Sequence, residues 1–362
     1  MRSLFTPRTL LRHSFMAMGT DVQMTLAPRR RHQIRQARAA LAEVQQLVLE
    51  FGHDGWAWGS GDLGQFNRRL ATGSAAPVPS SLRPIFDRAW QLHRATRGLY
   101  EPRIASLVHL WGFDDQARRR SQPPGADEIA LRLQALQSAP DYRADAAEYG
   151  PAPGVGWDLG GIAKGYIVDQ ALALLAQRGF GDATVDAGGN VAARGRRHDR
   201  AWLIGIRAPL DGTEGDDEPT RLIAALSVRD EAVNTHGDDQ RYFVHQGQRY
   251  AHLLNPETGE PAQGLRSLTV VHNDGMLAEA GGAALYVAGA RDWPVLAASL
   301  GIDQVLAVES SGRIVATPKL LERLRLQPGV TIDALDITSL TSGIGSRVAM
   351  PQRAEAVQTH QS

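Results

Sequence analysis

The chain has 362 residues, of which 43% are hydrophobic and 22% are charged, a composition typical of a globular protein. This length predicts one large domain or two subdomains. The formal net charge is zero, so we expect neither nucleic acid nor an anionic membrane as a partner. The chain has no cysteine, which excludes disulfides, thiol nucleophiles, cysteine-ligated metals and a lipid-bearing cysteine.

The N-terminal sequence lacks an apolar run of signal-peptide length, and no later segment is as long and apolar as a membrane span. We therefore expect no membrane segment and a cytoplasmic location. Short arginine clusters at 29–31 and 118–120 flank segments with helical spacing. We interpret them as solvated helix ends rather than as a nucleic-acid surface.

The first part of the chain is predicted to be mainly helical. Thr20–Leu26 alternates apolar and polar residues, which predicts a strand. Residues 52–81 are rich in glycine, tryptophan, serine and proline and are predicted to form a loop. Apolar residues at helical spacing predict helices over 31–51 (ending at Gly52), 81–96, 104–111 and 126–136.

The second part is predicted to begin with a long helix over 163–178 and to continue mainly as strands. Helices that come first and antiparallel strands that come later favour an α+β fold over a doubly wound parallel sheet. Residues 209–220 are acidic and rich in helix breakers, which indicates a surface insertion. Predicted strands are 183–186, 191–194, 202–206, Leu222–Val228, 241–245, 250–254 and 268–271, followed by helices 277–288 and 293–300 and a hairpin at 305–315.

Residues 59–64 (GSGDLG) match the dinucleotide fingerprint G-x-G-x-x-G. That fingerprint requires a buried strand before the glycines and an apolar helix after them. Here WAW precedes the glycines and QFN follows them, so we interpret the match as accidental. A nicotinamide-dependent reductase is therefore a remote alternative, which a titration with NAD(P)H would test.

Residues 158–169 (DLGGIAKGYIVD) carry a more specific pattern. Gly160 and Gly161 allow a ligand to approach the backbone, and the helix that follows offers free N–H groups to an anion. Lys164 is one of only two lysines, with Lys319, among 39 basic residues. A helix dipole disfavours a cation in the first turn, so Lys164 indicates a need for a compact ammonium, which suits a phosphate or ribose oxygen. The alternative is a lysine retained by chance, with Asp158 serving as a helix cap.

Two further segments add polar groups after predicted strands. Residues 186–190 (DAGGN) form a second Gly-Gly turn, which is typical of a hairpin and would otherwise be the other wall of a nucleotide site. His252 lies at the end of a predicted strand and just before the turn NPETG. That position suits proton transfer at the rim of a pocket, although an isolated histidine is more often structural.

These segments, in this order, resemble the FAD:protein FMN transferase family, also called the flavin transferase family. The resemblance extends over residues 14–345, which we treat as one flavin transferase-like domain, either undivided or divided near residue 150. An N-terminal extension (1–13) and a polar tail (346–362) flank it. The landmarks are Met18-Gly19-Thr20, Phe66-Asn67, Gly98-Leu99-Tyr100-Glu101-Pro102, Leu110-Trp111-Gly112-Phe113, residues 158–169, Gly188-Gly189-Asn190, Thr235-His236-Gly237-Asp238 and residues 252–261.

The resemblance implies an α+β fold in which helices pack on antiparallel sheets around an FAD cleft. It implies that Mg²⁺ assists cleavage of the FAD pyrophosphate, that FMN is attached to a threonine hydroxyl of an acceptor protein, and that AMP is released. His252 would be the base and would also contact FAD, while the Gly161 carbonyl and Glu279 would be metal ligands. The other residues implied to hold FAD are Met18, Trp58, Leu99, Tyr100, Glu101, Asp158 and Lys164.

Several positions depart from the family pattern. Glu279 replaces the metal-binding aspartate, and Ala283 replaces a threonine or serine ligand four residues later. The extra methylene of glutamate moves the carboxylate by more than ~1 Å, whereas magnesium tolerates little misfit at its ~2.0–2.1 Å distances. A water molecule is the remaining substitute for the lost hydroxyl. Asn255 replaces an aspartate, His236 a serine, and Tyr100 a phenylalanine.

Three functions are therefore compatible with the sequence. The first is a divalent-metal-dependent flavin transferase with His252 as base. The second is a catalytically weak or inactive FAD-binding relative, in which the altered metal ligands no longer support catalysis. The third is an FAD pyrophosphatase, in which water replaces the acceptor threonine and the products are FMN and AMP.

Overall fold

The computed structural model describes residues 9–115, 120–210, 221–338 and 340. The predicted tail (346–362), residues 1–8 of the predicted extension, and residues 211–220 of the predicted insertion lie outside the described residues. Helices are numbered in chain order, and a π-helical turn, Leu277–Gly281, leads directly into α7. The helices are α1 Ile34–Asp54, α2 Asp62–Ala71, α3 Arg83–Ala95, α4 Ala105–Leu110, α5 Ala126–Ser138, α6 Ala163–Gln177, α7 Gly282–Leu300 and α8 Pro318–Leu321.

The strands, also numbered in chain order, belong mainly to one large sheet. Its order is β1-β2-β5-β6-β9-β12-β13-β14-β16, and all neighbours are antiparallel except β14 and β16. The strands are β1 Leu11–Ala17, β2 Thr20–Leu26, β3 Ala76–Pro77, β4 Glu148–Tyr149, β5 Ala183–Ala187, β6 Asn190–Arg194, β7 Trp202–Arg207, β8 Leu222–Val228, β9 Glu231–Gly237, β10 Tyr242–His245, β11 Gln248–Ala251, β12 Leu265–His272, β13 Val305–Glu309, β14 Ile314–Ala316, β15 Leu324–Leu326 and β16 Asp333–Ala334.

The large sheet is covered on both faces, so side chains on both faces of its central strands are buried. Leu268 and Val270 of β12 face a core shared with α1, α6 and α7. Val271 faces a second core, which is shared with the small sheet of order β15-β8-β7. This alternation follows from the two-residue period of a strand. The expected α+β class, with helices packed on antiparallel sheets, is confirmed.

Two predictions for the first part of the chain were wrong, one about the end of a helix and one about a loop. The first helix continues past Gly52 to Asp54 and is capped by Gly55. The predicted loop 52–81 contains α2, an amphipathic helix with four buried residues that the surrounding Gly and Trp composition concealed. Helix α1, not a strand, precedes the glycines at 59–64, which confirms that the dinucleotide fingerprint is accidental.

Three strands of the large sheet were not predicted: β1, β9 and the two-residue strand β16 at its edge. β1 begins at Leu11 and pairs with β2, so the sheet reaches into the stretch predicted as an extension. β9 pairs with β6 and β12 near the middle of the sheet, although its sequence EAVNTHG is largely polar. The second half of α7 is separated from the first by a non-helical Gly289 (φ 74°), in agreement with the two helices predicted there.

One end of the large sheet collects several of the predicted site segments. The β1–β2 turn at Met18-Gly19 and the β5–β6 turn at Gly188-Gly189 lie side by side, because Val22 pairs with Ala187 and the Gly188 N–H donates to the Asp21 carbonyl. The Gly-Gly turn is therefore a hairpin connection. β9 ends on the same side, because Asn190 at the start of β6 pairs with Asn234.

None of the described helices is long and apolar enough to cross a membrane.

Candidate active site

Two loops are fixed against each other beside the start of α6. The Asp158 N–H donates to the Pro102 carbonyl at 2.8 Å, and Ala105 donates to the Gly156 carbonyl at 3.0 Å. The side chain of Asn67 holds the second loop from the other side, because it both donates to and accepts from the backbone of Trp157 at 2.8 Å. These bonds hold the segments that contain Asn67, Tyr100 and Asp158 against one another.

Tyr100 and Gly161 meet where these two loops approach each other. A Cβ on Gly161 would lie 3.3 Å from the Tyr100 ring, so a larger residue would crowd the tyrosine. Tyr100 is buried, and its hydroxyl has no hydrogen-bond partner in the structure. Burial, together with the nearby charges of Glu279 and Asp158, raises the pKa of Tyr100 well above its ordinary value. Tyr100 therefore carries a neutral hydroxyl that can donate a hydrogen bond, and the carboxylates of Glu279 and Asp158 lie nearby.

Asp158 lies immediately before the glycine turn. Its Oδ1 accepts the Gly160 N–H at 2.8 Å, so the side chain closes a local turn rather than capping α6. Burial raises the pKa of Asp158, and the Gly160 N–H, Lys164 and Arg241 oppose that rise. Asp158 therefore lies in the field of two cations.

The carboxylate of Glu101, by contrast, is hydrogen-bonded by residues of its own loop. Its carboxylate accepts from the Arg103 guanidinium at 2.9 and 2.8 Å and from the Arg103 backbone N–H at 2.9 Å. His93 approaches the same carboxylate at 3.4 Å. Because the group is 6% exposed, its visible role is to shape the loop that carries Tyr100.

Lys164 and Glu279 form the central contact of the site. Lys164 Nζ lies 2.6 Å from Glu279 Oε1, and Glu279 Oε2 accepts the Gly165 N–H at 2.7 Å. The Lys164 ammonium also donates to the Gly160 carbonyl at 2.9 Å. Glu279 reaches this position from the π-helical turn, a distortion that often marks functional sites. Gly165 allows the segment before the π-helical turn to pack closely on α6, since a Cβ at position 165 would lie 2.2 Å from the Gly275 carbonyl oxygen.

The donor set at the expected magnesium position does not fit a magnesium ion as it stands. Both Glu279 oxygens are already taken by the chain's own donors, and Ala283 offers no oxygen. Among the residues that the structure describes, there is no group of three or more histidine or carboxylate side chains that could hold a metal ion. A magnesium site formed by Gly161 and Glu279 stays a prediction, and it would require Lys164 to leave the carboxylate.

His252 follows β11, and its backbone N–H donates to the Arg241 carbonyl at 3.0 Å. The ring packs edge-on against Phe113, and its buried Nδ1 has no hydrogen-bond partner in the structure. Burial, the Arg241 charge and the Lys164 charge lower the pKa of His252 to about 4. The imidazole is therefore neutral near pH 7 and has an acceptor nitrogen to offer.

His236 lies on β9 beneath the start of α7. A Cβ on Gly282 would lie 2.8 Å from His236 Nε2, so the glycine provides the space that the imidazole fills. Burial, Lys164 and His252 lower the pKa of His236 to about 3. His236 is thus a second neutral imidazole beside the Lys164–Glu279 pair, and sequence reasoning gave it no role.

Arg241 is the other residue that sequence reasoning left without a role. Its guanidinium lies 3.2 Å from where a Cβ on Gly19 would stand, and it acts on both Asp158 and His252. Met18 lies in the same turn, with a left-handed φ of 51° that is uncommon for a residue other than glycine. Arg241 therefore connects the Met18 turn to the catalytic candidate.

The structure thus brings most of the predicted site residues into one cluster. Tyr100, Asp158, Gly161, Lys164, Glu279 and His252 are linked by contacts or by mutual charge effects. Trp58 and Leu99 are partly buried and pack against the main core. Their contact with FAD stays a prediction.

Comparison with known proteins identifies the family. The model of the ApbE family matches residues 18–306, which is more than half of the chain. The chain belongs to the ApbE family. The resemblance to flavin transferases is confirmed, because the chain is 32% identical over 340 residues to the FAD:protein FMN transferase of Rhodobacter capsulatus and 30% identical over 317 residues to that of Treponema pallidum.

The lengths of these ApbE-family proteins differ. The first alignment covers 91% of this chain but 61% of the R. capsulatus protein, so the chain spans about three fifths of that relative. The second covers 80% of this chain and 83% of the T. pallidum protein. The crystal structure of the ApbE protein from Thermotoga maritima has a TM-score of 0.76 and 26% identity, and the match covers 88% of this chain and 100% of that chain.

Proposed function

We propose that this chain transfers FMN from FAD to a threonine hydroxyl of an acceptor protein and releases AMP. The observation that carries the proposal is His252, a neutral imidazole with an unpartnered buried nitrogen, whose pKa is lowered by burial and by the charges of Arg241 and Lys164. A base next to two cations suits a reaction in which a hydroxyl attacks an anionic pyrophosphate. The names of the ApbE-family relatives support the same activity.

FAD would bind along the cluster that contains these cations. Lys164 and Arg241 supply the positive charge for the pyrophosphate, and the buried Tyr100 hydroxyl offers a hydrogen bond. We assign Asp158, Met18, Trp58 and Leu99 to the remaining contacts with FAD. Glu101 would act mainly through Arg103, by holding the loop in shape. The predicted cytoplasmic location stays a prediction.

In the proposed reaction the threonine Oγ attacks the phosphorus on the FMN side of the pyrophosphate. The bond from that phosphorus to the oxygen shared with AMP breaks, and AMP leaves with the electron pair. His252 accepts the hydroxyl proton. The negative charge of bound FAD opposes the effect of Lys164 and Arg241 on the pKa of His252, so the ring becomes a stronger base when FAD is present.

Magnesium, which the resemblance implies, would neutralise pyrophosphate charge when bound.

Mass spectrometry of an acceptor protein, incubated with the chain and FAD, tests the proposal and separates it from its alternatives. We expect a threonine to gain the mass of FMN less one water, as a phosphoester requires, and AMP to be released in equal amount. AMP and free FMN without labelling of the acceptor would indicate the pyrophosphatase. Bound FAD without AMP would indicate the inactive FAD-binding relative.

Replacing Arg241 with glutamine is expected to move the acid limb of the pH–rate profile to higher pH. Arg241 lowers the pKa of His252, so loss of its charge lets that pKa rise from about 4 towards the ordinary value. Because the neutral imidazole is the base, the variant loses activity at a higher pH than the native chain. The measurement is kcat/KM against pH, with Arg291→Gln (side chain 95% exposed) as the matched control. An acid limb that stays in place would contradict the assignment.

A further inference from the structure

The acidic side chain at the expected metal position already has a cation. Glu279 is 1% exposed, and its two oxygens accept from Lys164 Nζ at 2.6 Å and from the Gly165 N–H at 2.7 Å. A buried carboxylate is stable only when it is paired and hydrogen-bonded, and both conditions are met here by the chain itself. The charge of the Glu279 carboxylate is therefore already balanced by Lys164, without a divalent ion.

The Lys164 ammonium still has capacity for a ligand. It has three N–H donors, and two of them are used by Glu279 and by the Gly160 carbonyl. Its side chain is 26% exposed, whereas Glu279 lies beneath it. The third donor is thus available on the open side of an ion pair whose other side is buried.

The surrounding residues favour an ammonium over magnesium. Magnesium requires a near-octahedral set of oxygen atoms at about 2.0–2.1 Å. Position 283, one turn after Glu279, is an alanine with no oxygen ligand, and both Glu279 oxygens already accept hydrogen bonds from the chain's own donors. An ammonium needs only the acceptors that are already present.

We propose that Lys164 is the resident cation of this site and takes the place of the divalent ion. Its third N–H would donate to a pyrophosphate oxygen of FAD, with Arg241 supplying a second positive charge nearby. This inference rests on the proposed function in one respect, namely that FAD is the ligand. It predicts that FAD binds equally well with and without magnesium.

The first experiment measures the cation site without FAD. Mn²⁺, a paramagnetic substitute for Mg²⁺, is titrated into the chelator-treated protein while its free signal is followed by electron paramagnetic resonance. We expect no stoichiometric binding to the native chain. The double variant Lys164→Met with Ala283→Thr frees Glu279 and restores a hydroxyl, so it is expected to gain a site for one ion. Lys319→Met, which removes the other lysine, is the matched control and should gain none.

The native chain also keeps the test decisive if the double variant does not fold. Binding of one Mn²⁺ by the native protein, lost on Glu279→Gln, would overturn the proposal. Lys164→Gln is a second variant that keeps a hydrogen-bond donor for Glu279 while removing the charge. It too should bind Mn²⁺ better than the native chain.

The second experiment is isothermal titration of FAD into the native chain, once in EDTA and once in MgCl₂. We expect the two Kd values to agree within about twofold. A loss of about tenfold or more in EDTA would overturn the proposal, because it would show that a divalent ion takes part in binding. If FAD does not bind in either buffer, the proposed function fails, and the Mn²⁺ titration still decides whether Lys164 excludes a metal ion.

Discussion

Replacing His252 with alanine is expected to lower the rate of FMN transfer by about 10²–10⁴-fold while FAD still binds. The reason is that the hydroxyl proton then has no acceptor in the position that His252 occupies after β11. The nitrogen that the structure leaves unpartnered is buried beside the two cations, so water is a poor substitute there. Lys164 and Arg241 remain, and they should keep most of the affinity for FAD.

Single-turnover measurements with saturating FAD and acceptor separate the two roles of His252, as base and as FAD contact. A lower rate constant with an unchanged Kd for FAD would assign the ring to proton transfer. A raised Kd with an unchanged rate constant would mean that the ring only helps to bind FAD. His245→Ala is the matched control, because His245 lies on the neighbouring strand β10 and its ring contacts the Ser121 carbonyl.

The sequence predicted the local features of this site better than its contacts. The turn at Gly160-Gly161, the helix that begins at Ala163, and the position of His252 after a strand all followed from short-range patterns. Those patterns depend on backbone geometry and capping, which neighbouring residues largely determine.

The pairing of Lys164 with Glu279 was not predictable in the same way. The two residues are 115 positions apart, and the resemblance implies separate roles for them, FAD binding for Lys164 and metal binding for Glu279. Only the packing of the π-helical turn on α6 brings them together. The rarity of lysine did indicate a geometric requirement at position 164, but the structure shows that a carboxylate is part of that requirement.

The missed strand β9 has a related cause. Its polar residues Asn234 and His236 contact partners inside the protein rather than solvent. The sequence of β9 therefore lacks the alternation of apolar and polar residues that marks a half-exposed strand. Asn234 bonds to Asn190 across the sheet, and His236 fits against Gly282. A polar sequence in the middle of a sheet is recognisable only when these partners are known.

Replacing Lys164 with methionine is expected to lower the free energy of unfolding by about 3 kcal/mol. Removal of one partner of a buried ion pair typically costs ~3–5 kcal/mol, because the other charge stays buried without compensation. The lower end of that range applies, since the Lys164 side chain is 26% exposed and water can approach the Glu279 oxygen that it leaves. Urea unfolding at constant pH measures the change.

The double variant Lys164→Met with Glu279→Gln tests the physical reason for this loss. Once the carboxylate is neutral, its burial no longer needs a cation, so the double variant should be more stable than the sum of the single changes predicts, by about 1 kcal/mol or more. Lys319→Met is the natural control, because its partner Asp303 is half exposed and such pairs contribute about 0–1 kcal/mol. Additive single changes would mean that Lys164 and Glu279 stabilise the fold independently, and the 2.6 Å contact would then carry no coupling.

A clear coupling would mean that one ion pair has two roles: it stabilises α6 against the π-helical turn, and it sets the charge of the site. A chain that loses Lys164 would then gain room for a metal ion at the expense of its own stability.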